Sequence, residues 1–91
     1  MFTLVIYDIS ENDLRLAAAN ACKKYGLIRV QKSAFLGEIS NSLRKELAAA
    51  LKEIVKNTEN NIQIYIICKP DLSQKIELGK PYKGEESEIL M

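Results

Sequence analysis

Among the side chains that could do chemistry, Asp8 is the best placed: it closes the apolar run Phe2-Thr3-Leu4-Val5-Ile6-Tyr7 and is followed by Ile9. A carboxylate near the end of an apolar strand stands where rigid sheet meets solvent. That position serves either a metal or catalytic role or a helix or turn cap. The chain has no histidine, which removes the usual general base at neutral pH, Ser-His and Cys-His nucleophiles, and histidine-ligated zinc. Phosphodiester hydrolysis would therefore need water activated by a metal ion. A hard cation such as Mg²⁺ or Mn²⁺ takes one or two carboxylates and completes its shell with waters and phosphate oxygens. One aspartate per chain is a thin ligand set, whereas a two-fold dimer that brought both copies of Asp8 together supplies two. Arg15 and Arg29 are the arginines nearest in sequence to the elements beside Asp8; each serves either phosphate contact and charge stabilisation or a solvated surface role. Tyr7 and Phe35 carry rings that either stack on a base or pack in the core or a dimer interface. Cys22 and Cys68 lack metal-ligand spacing and read as reduced thiols acting as small hydrophobes.

The elements that must position these residues follow from periodicity. Residues 2–9 are rich in aromatic and β-branched types and read as a central strand covered on both faces. Ser10-Glu11-Asn12-Asp13 resembles a capping box, and Leu14, Ala18, Ala21, Cys22 and Tyr25 recur at helical spacing until Gly26, so a first helix is expected over 11–25. Residues 27–36 alternate and read as one strand, although Lys32 breaks the apolar phase. Gly37 then turns the chain into a brief strand over 38–40, before a helix capped at Asn41 or Ser42 that buries Leu43, Leu47, Ala50, Leu51, Ile54 and Val55 and ends near Thr58. Asn60-Asn61 is a turn, residues 62–69 alternate as the last main strand closed by Pro70, and 75–78 is a candidate short C-terminal strand.

This order is the split βαβ pattern of α+β, ferredoxin-like βαββαβ domains, with an antiparallel sheet, both helices on one face, and a short C-terminal strand. It assigns residues 1–80 to one domain and 81–91 to a tail. The uncovered face is expected to show Val5 and Tyr7, then Arg29, Gln31, Ser33 and Phe35, then Gln63, Tyr65 and Ile67. That mixture is too apolar to stay wet, and packing on a second copy is the expected remedy.

Ninety-one residues give one core and leave no room for a separate binding domain, which also favours pairing. Net charge is only +1, yet residues 1–84 hold all 13 lysines and arginines and nine of the 12 acids, leaving that body at +4, while Glu85, Glu86 and Glu88 crowd the tail. The asymmetry is a moderate signal for phosphate binding. No apolar run is long enough to span a membrane, and the opening run has neither a basic flank nor a cleavage site, so a cytoplasmic location is expected.

Taken together, Tyr7-Asp8-Ile9, Arg15, Gly26 and Arg29-Val30-Gln31-Lys32-Ser33-Ala34-Phe35 resemble the signature of the small CRISPR-associated adaptation protein, the Cas-two family. The motifs cover residues 3–37, and the element order carries the likeness to about residue 80. The resemblance implies a homodimer of the spacer-acquisition complex, a metal-dependent endonuclease on single-stranded RNA or double-stranded DNA, with Asp8 as the ligand of Mg²⁺ or Mn²⁺. Tyr7, Arg15, Arg29, Ser33 and Phe35 would surround it. It equally implies a non-catalytic scaffold that binds duplex DNA and bridges integrase dimers, with Ile89-Leu90-Met91 docking on the partner's sheet or on the integrase. Two departures stand out: Ala17 replaces a basic residue that some relatives carry, and Leu36 replaces an acidic one. A ferredoxin-like regulator of a small ligand or RNA fits less well, because no glycine-aromatic RNA-recognition motif and no Gly-rich loop is present.

Overall fold

The computed structural model describes residues 1–83. Seven elements follow in order: β1 (Phe2–Asp8), α1 (Asn12–Lys24), β2 (Ile28–Gln31), β3 (Ala34–Glu38), α2 (Asn41–Val55), β4 (Asn61–Ile67) and α3 (Lys69–Leu72). The strands form one antiparallel sheet in the order β2-β3-β1-β4, the ferredoxin-like arrangement expected from the split βαβ pattern.

β1 is central, as its apolar run predicts, but the helices cover it on one face only and not on both as expected, which explains the alternation of its burial. Thr3, Val5 and Tyr7 turn inward beneath the helices, while Leu4, Ile6 and Asp8 occupy the other face. Leu47 and Leu51 of α2 and Ala18, Ala19 and Cys22 of α1 close the core over Val5 and Phe35. Each fully buried large side chain, such as Phe35, Leu47 or Leu51, contributes about 1.5–3 kcal/mol relative to exposure.

α1 stops at a Schellman turn. Gly26 has φ of +94°, its N–H donates to the Lys23 carbonyl, and the Leu27 N–H donates to that of Cys22, both at 3.0 Å. α2 begins at Ser40, whose Oγ accepts from the Leu43 N–H at 3.1 Å, one residue before the expected cap. α1 has no side-chain cap at all: the N-cap is Glu11, and the Ser10–Asp13 capping box does not form.

Three further expectations are corrected. The single strand over 27–36 is two strands, β2 and β3, which turn at Lys32-Ser33 where the apolar phase breaks; there is no strand over 38–40, and Gly37 lies inside β3. Gly37 is there because Leu27 crosses it closely, so a Cβ at 37 would stand 2.8 Å from Leu27 Cδ2 and 3.0 Å from the Gly26 carbonyl oxygen. The hairpin also changes the face assignments. Val5, Tyr7, Arg29 and Phe35 belong to the helix side, because Val5 faces Phe35 and Phe35 faces Arg29 across the ladders. The open face carries Leu4, Ile6, Leu36, Gln63, Tyr65 and Ile67, with Ile28 at its margin. Finally, no strand forms at 75–78 among the described residues. Pro70 occupies the first turn of the short helix α3, a position that spares its missing N–H. Beyond α3 the chain lies against the open face, where Leu72 and Ile76 oppose Leu4, Leu36, Val30 and Ile67 across a groove of about 530 Å³. A strand needs an edge to pair with, and this path supplies none. Ile89-Leu90-Met91 lies outside the described residues. No helix among them is long and apolar enough to cross a membrane.

Candidate functional site

Asp8 is the last residue of β1 and pairs with Asn61, the first of β4. It is exposed, on the same face as Leu4 and Ile6. Immediately afterwards the chain dives: Ile9 is buried in the core, so the strand end is anchored on one side of the carboxylate by the ladder and on the other by a hydrophobic plug.

The loop beyond is gripped from two directions. Arg15, one turn into α1, donates from Nη1 to the carbonyls of Ile9 and Ser10, 3.0 Å each, and from Nη2 to Asn12 Oδ1. Asn60, just before β4, accepts the Ser10 N–H on Oδ1 at 3.0 Å and donates from Nδ2 to Glu11 Oε1 at 2.8 Å. Thr58 holds Asn60 in turn, its Oγ1 accepting from the Asn60 amide N–H at 3.2 Å and Nδ2 at 3.1 Å while it donates to the Val55 carbonyl at 2.7 Å. The Ser10 residue is therefore held at both its N–H and its C=O. Arg15 acts here on backbone carbonyls.

On the opposite flank lies the β2–β3 turn. Tyr7 N–H donates to the Ser33 carbonyl at 2.9 Å and its hydroxyl approaches the Lys32 carbonyl at 3.4 Å, which brings Ser33 beside the end of β1. Tyr7 and Phe35 stack with centroids 6.3 Å apart and planes inclined by 22°, and the Arg29 guanidinium covers Phe35 at 5.0 Å. Both rings are buried. Neither presents a face to a base, and the reading of Tyr7 and Phe35 as base-stacking residues gives way to core packing. Cys22 lies within reach of Arg29's field; burial pushes its thiol up to about 12, with Arg29 pulling the other way.

The sequence-selected residues thus fall into two groups. Asp8, Arg15 and Ser33 gather at the solvent end of β1, while Tyr7, Phe35 and Arg29 form a stack on the helix side of the sheet. The sequence marks Asn60 only as part of a turn and Thr58 only as the end of the second helix. Asn60's part comes from a contact spanning fifty positions, for which no local pattern exists.

A hard divalent cation suits what Asp8 offers, an exposed carboxylate with room for waters and phosphate oxygens. A preformed cage is not offered: among the described residues no group of three or more His, Cys, Asp or Glu side chains converges.

Comparison with known proteins adds the following. Residues 1–75 match the family model described as CRISPR associated protein Cas2. A CRISPR-associated endoribonuclease Cas2 from Pyrobaculum aerophilum is 38% identical over 81 residues, 89% of either chain. A CRISPR-associated endonuclease Cas1/endonuclease Cas2 fusion from Thermoproteus tenax is 36% identical over 78 residues, 86% of this chain and 30% of the fusion. The crystal structure of Streptococcus pyogenes Cas2 at pH 6.5 superposes with a TM-score of 0.75 at 25% identity, over 87% of this chain and all of that one.

Proposed function

Because the chain belongs to the CRISPR-associated protein Cas2 family, we propose that it is a homodimeric, metal-dependent endonuclease of CRISPR spacer acquisition, in which Asp8 of each copy holds Mg²⁺ or Mn²⁺. The observation that carries this reading is that Asp8 shares one sheet face with an uncovered apolar surface. Ile6, Tyr65 and Ile28 are 40%, 48% and 46% exposed on the face that ends in Asp8. A second copy laid on that surface covers it, and with the two-fold axis at the Asp8 end of β1 it brings two carboxylates to one region, which doubles a ligand set that is thin in a single chain.

The residues divide the work as follows. The Asp8 carboxylate would hold the cation at the end of β1. Arg15 and Asn60 keep the loop behind Asp8 fixed. Without histidine, no neutral imidazole takes the proton from the attacking water. When bound, the ion supplies Lewis acidity at the phosphate and acidifies a solvent nucleophile. The names of curated relatives support RNA as a substrate, and the fusion of a relative to Cas1 supports the integrase as a partner. The surplus of positive charge on the body supports nucleic-acid binding to either RNA or duplex DNA.

A second reading, a non-catalytic scaffold for duplex DNA, is favoured by the single carboxylate per chain and the absence of any converging acidic cluster among the described residues. Cleavage of labelled single-stranded RNA and duplex DNA in Mg²⁺ or Mn²⁺ separates the two. Loss of cleavage in Asp8→Asn, with dimerisation and nucleic-acid binding retained, is the expected outcome. Cleavage that is absent, or equal in wild type and variant, leaves the scaffold as the function.

A further inference from the structure

We propose that Asn60 is the positioning residue of Asp8: it locks the loop after β1 so that the Asp8 carboxylate keeps a fixed direction at the end of the ladder. The proposal rests on Asp8 being the working residue, and it assigns a role to a side chain that does not itself touch the reacting groups.

The argument begins with what a strand end lacks. Asp8 is the terminal pair of the β1–β4 ladder, opposite Asn61, so beyond it no backbone pairing restrains the chain, and strand ends without such restraint fray. Two things replace the ladder here. Ile9 plugs into the core, and Ser10 donates its N–H to the side chain of Asn60, the residue that precedes Asp8's own ladder partner. Asn60 thereby extends the β1–β4 pairing by one step, with a side-chain oxygen standing in for a backbone carbonyl. Its amide plane is fixed independently, because Nδ2 is shared between Glu11 Oε1 and Thr58 Oγ1. The O and N of the amide are therefore distinguished by their partners: the oxygen faces an N–H, and the nitrogen faces a carboxylate and a hydroxyl that itself donates to Val55. Arg15 completes the hold from the carbonyl side of Ile9 and Ser10. Groups that hydrogen-bond a metal ligand directly are typically worth 10–100-fold in metal affinity, and a support acting through the loop, as Asn60 does on Ser10, is expected at the low end of that range.

The test uses the full-length purified protein, Mn²⁺ as the probe, and free Mn²⁺ read by electron paramagnetic resonance, with backbone amide order parameters measured by NMR in parallel. Four proteins are compared: wild type, Asp8→Asn, Asn60→Ala, and the paired exchange Asn60→Asp with Glu11→Gln. The pair keeps an oxygen for the Ser10 N–H, reverses the donor and acceptor of the Asn60–Glu11 bond, turns the Thr58 hydroxyl from the Val55 carbonyl to the new carboxylate, and leaves net charge unchanged, so it reports even if Asn60→Ala does not fold. The expected result is that Asn60→Ala weakens Mn²⁺ binding roughly ten-fold and lowers the order parameters of Asp8 and Ser10, and that the paired exchange restores both. Wild-type Mn²⁺ affinity in Asn60→Ala, where Asp8→Asn has lost it, overturns the proposal. So does failure of a folded paired exchange to recover. If Asp8→Asn binds Mn²⁺ like wild type, the metal reading of Asp8 falls, and the order parameters decide alone: a drop at Asp8 in Asn60→Ala, or, where that variant does not fold, wild-type values in the paired exchange, sustains the positioning role, and the opposite result ends it.

Discussion

Cys22 and Cys68 show how far one residue's surroundings decide its chemistry. Cys22 is fully buried between α1 and the sheet, whereas Cys68 is partly exposed at the start of α3. An aromatic disulfide reagent should label Cys68 in the native protein and reach Cys22 only after unfolding, read as one thiol equivalent before denaturant and two after. Because burial raises the Cys22 thiol from 9.0 to about 12, the folded state holds that proton more tightly than the unfolded chain does. The associated stability is complete below pH 9 and is lost as pH rises towards 12. Urea titrations across that window should fall less steeply for Cys22→Ala than for wild type. Phe35 makes a parallel case. It was legible as important, but the sequence could not say whether its ring met a base or the core. Its side is set by a hairpin turn at Lys32-Ser33 that carries neither glycine nor asparagine to announce it. Phe35→Ala should cost about 3–5 kcal/mol of stability, measured by urea unfolding, so lost cleavage in that variant reports folding rather than base recognition.

At the level of elements, β1 was readable as a continuous apolar run, and α1, α2 and β4 because each keeps one apolar period over at least seven residues. The β2–β3 region was not, since two short strands of four and five residues joined without a turn signature mimic one long alternating strand, and a bulge between Arg29 and Gln31 shifts the phase. Asp8 was visible for the same reason as β1, whereas Asn60 was hidden because its contact depends on how α2 returns to the sheet. Gly37 provides a sharp test of the two-strand arrangement. Its lack of a side chain lets Leu27 pass, so Gly37→Ala should lower stability by about 1–3 kcal/mol. In a single strand turning at Gly37, the same change would meet no such obstruction. Chemical denaturation of the two proteins compares them directly.

For the molecule as a whole, the helices cover one face of the sheet, and the segment after α3 reaches only the part of the other around Leu4, Leu36 and Ile67. That other face carries Ile6, Ile28 and Tyr65, joined by Ile76 and Leu78, which are 83% and 87% exposed. Such a surface is more apolar than a lone 91-residue domain keeps wet. Light scattering should give about twice the chain mass for wild type and a mass near 10.3 kDa for the double variant Ile6→Lys with Tyr65→Lys, with α and β content unchanged by circular dichroism. The sheet's two rims differ as well. β4 offers seven regular residues, whereas β2 offers four interrupted by the bulge at Arg29–Gln31. A chain that could accept a neighbouring strand equally well at both rims would polymerise without limit. Here the bulge makes the β2 rim a poor template, so strand addition at both rims at once is disfavoured.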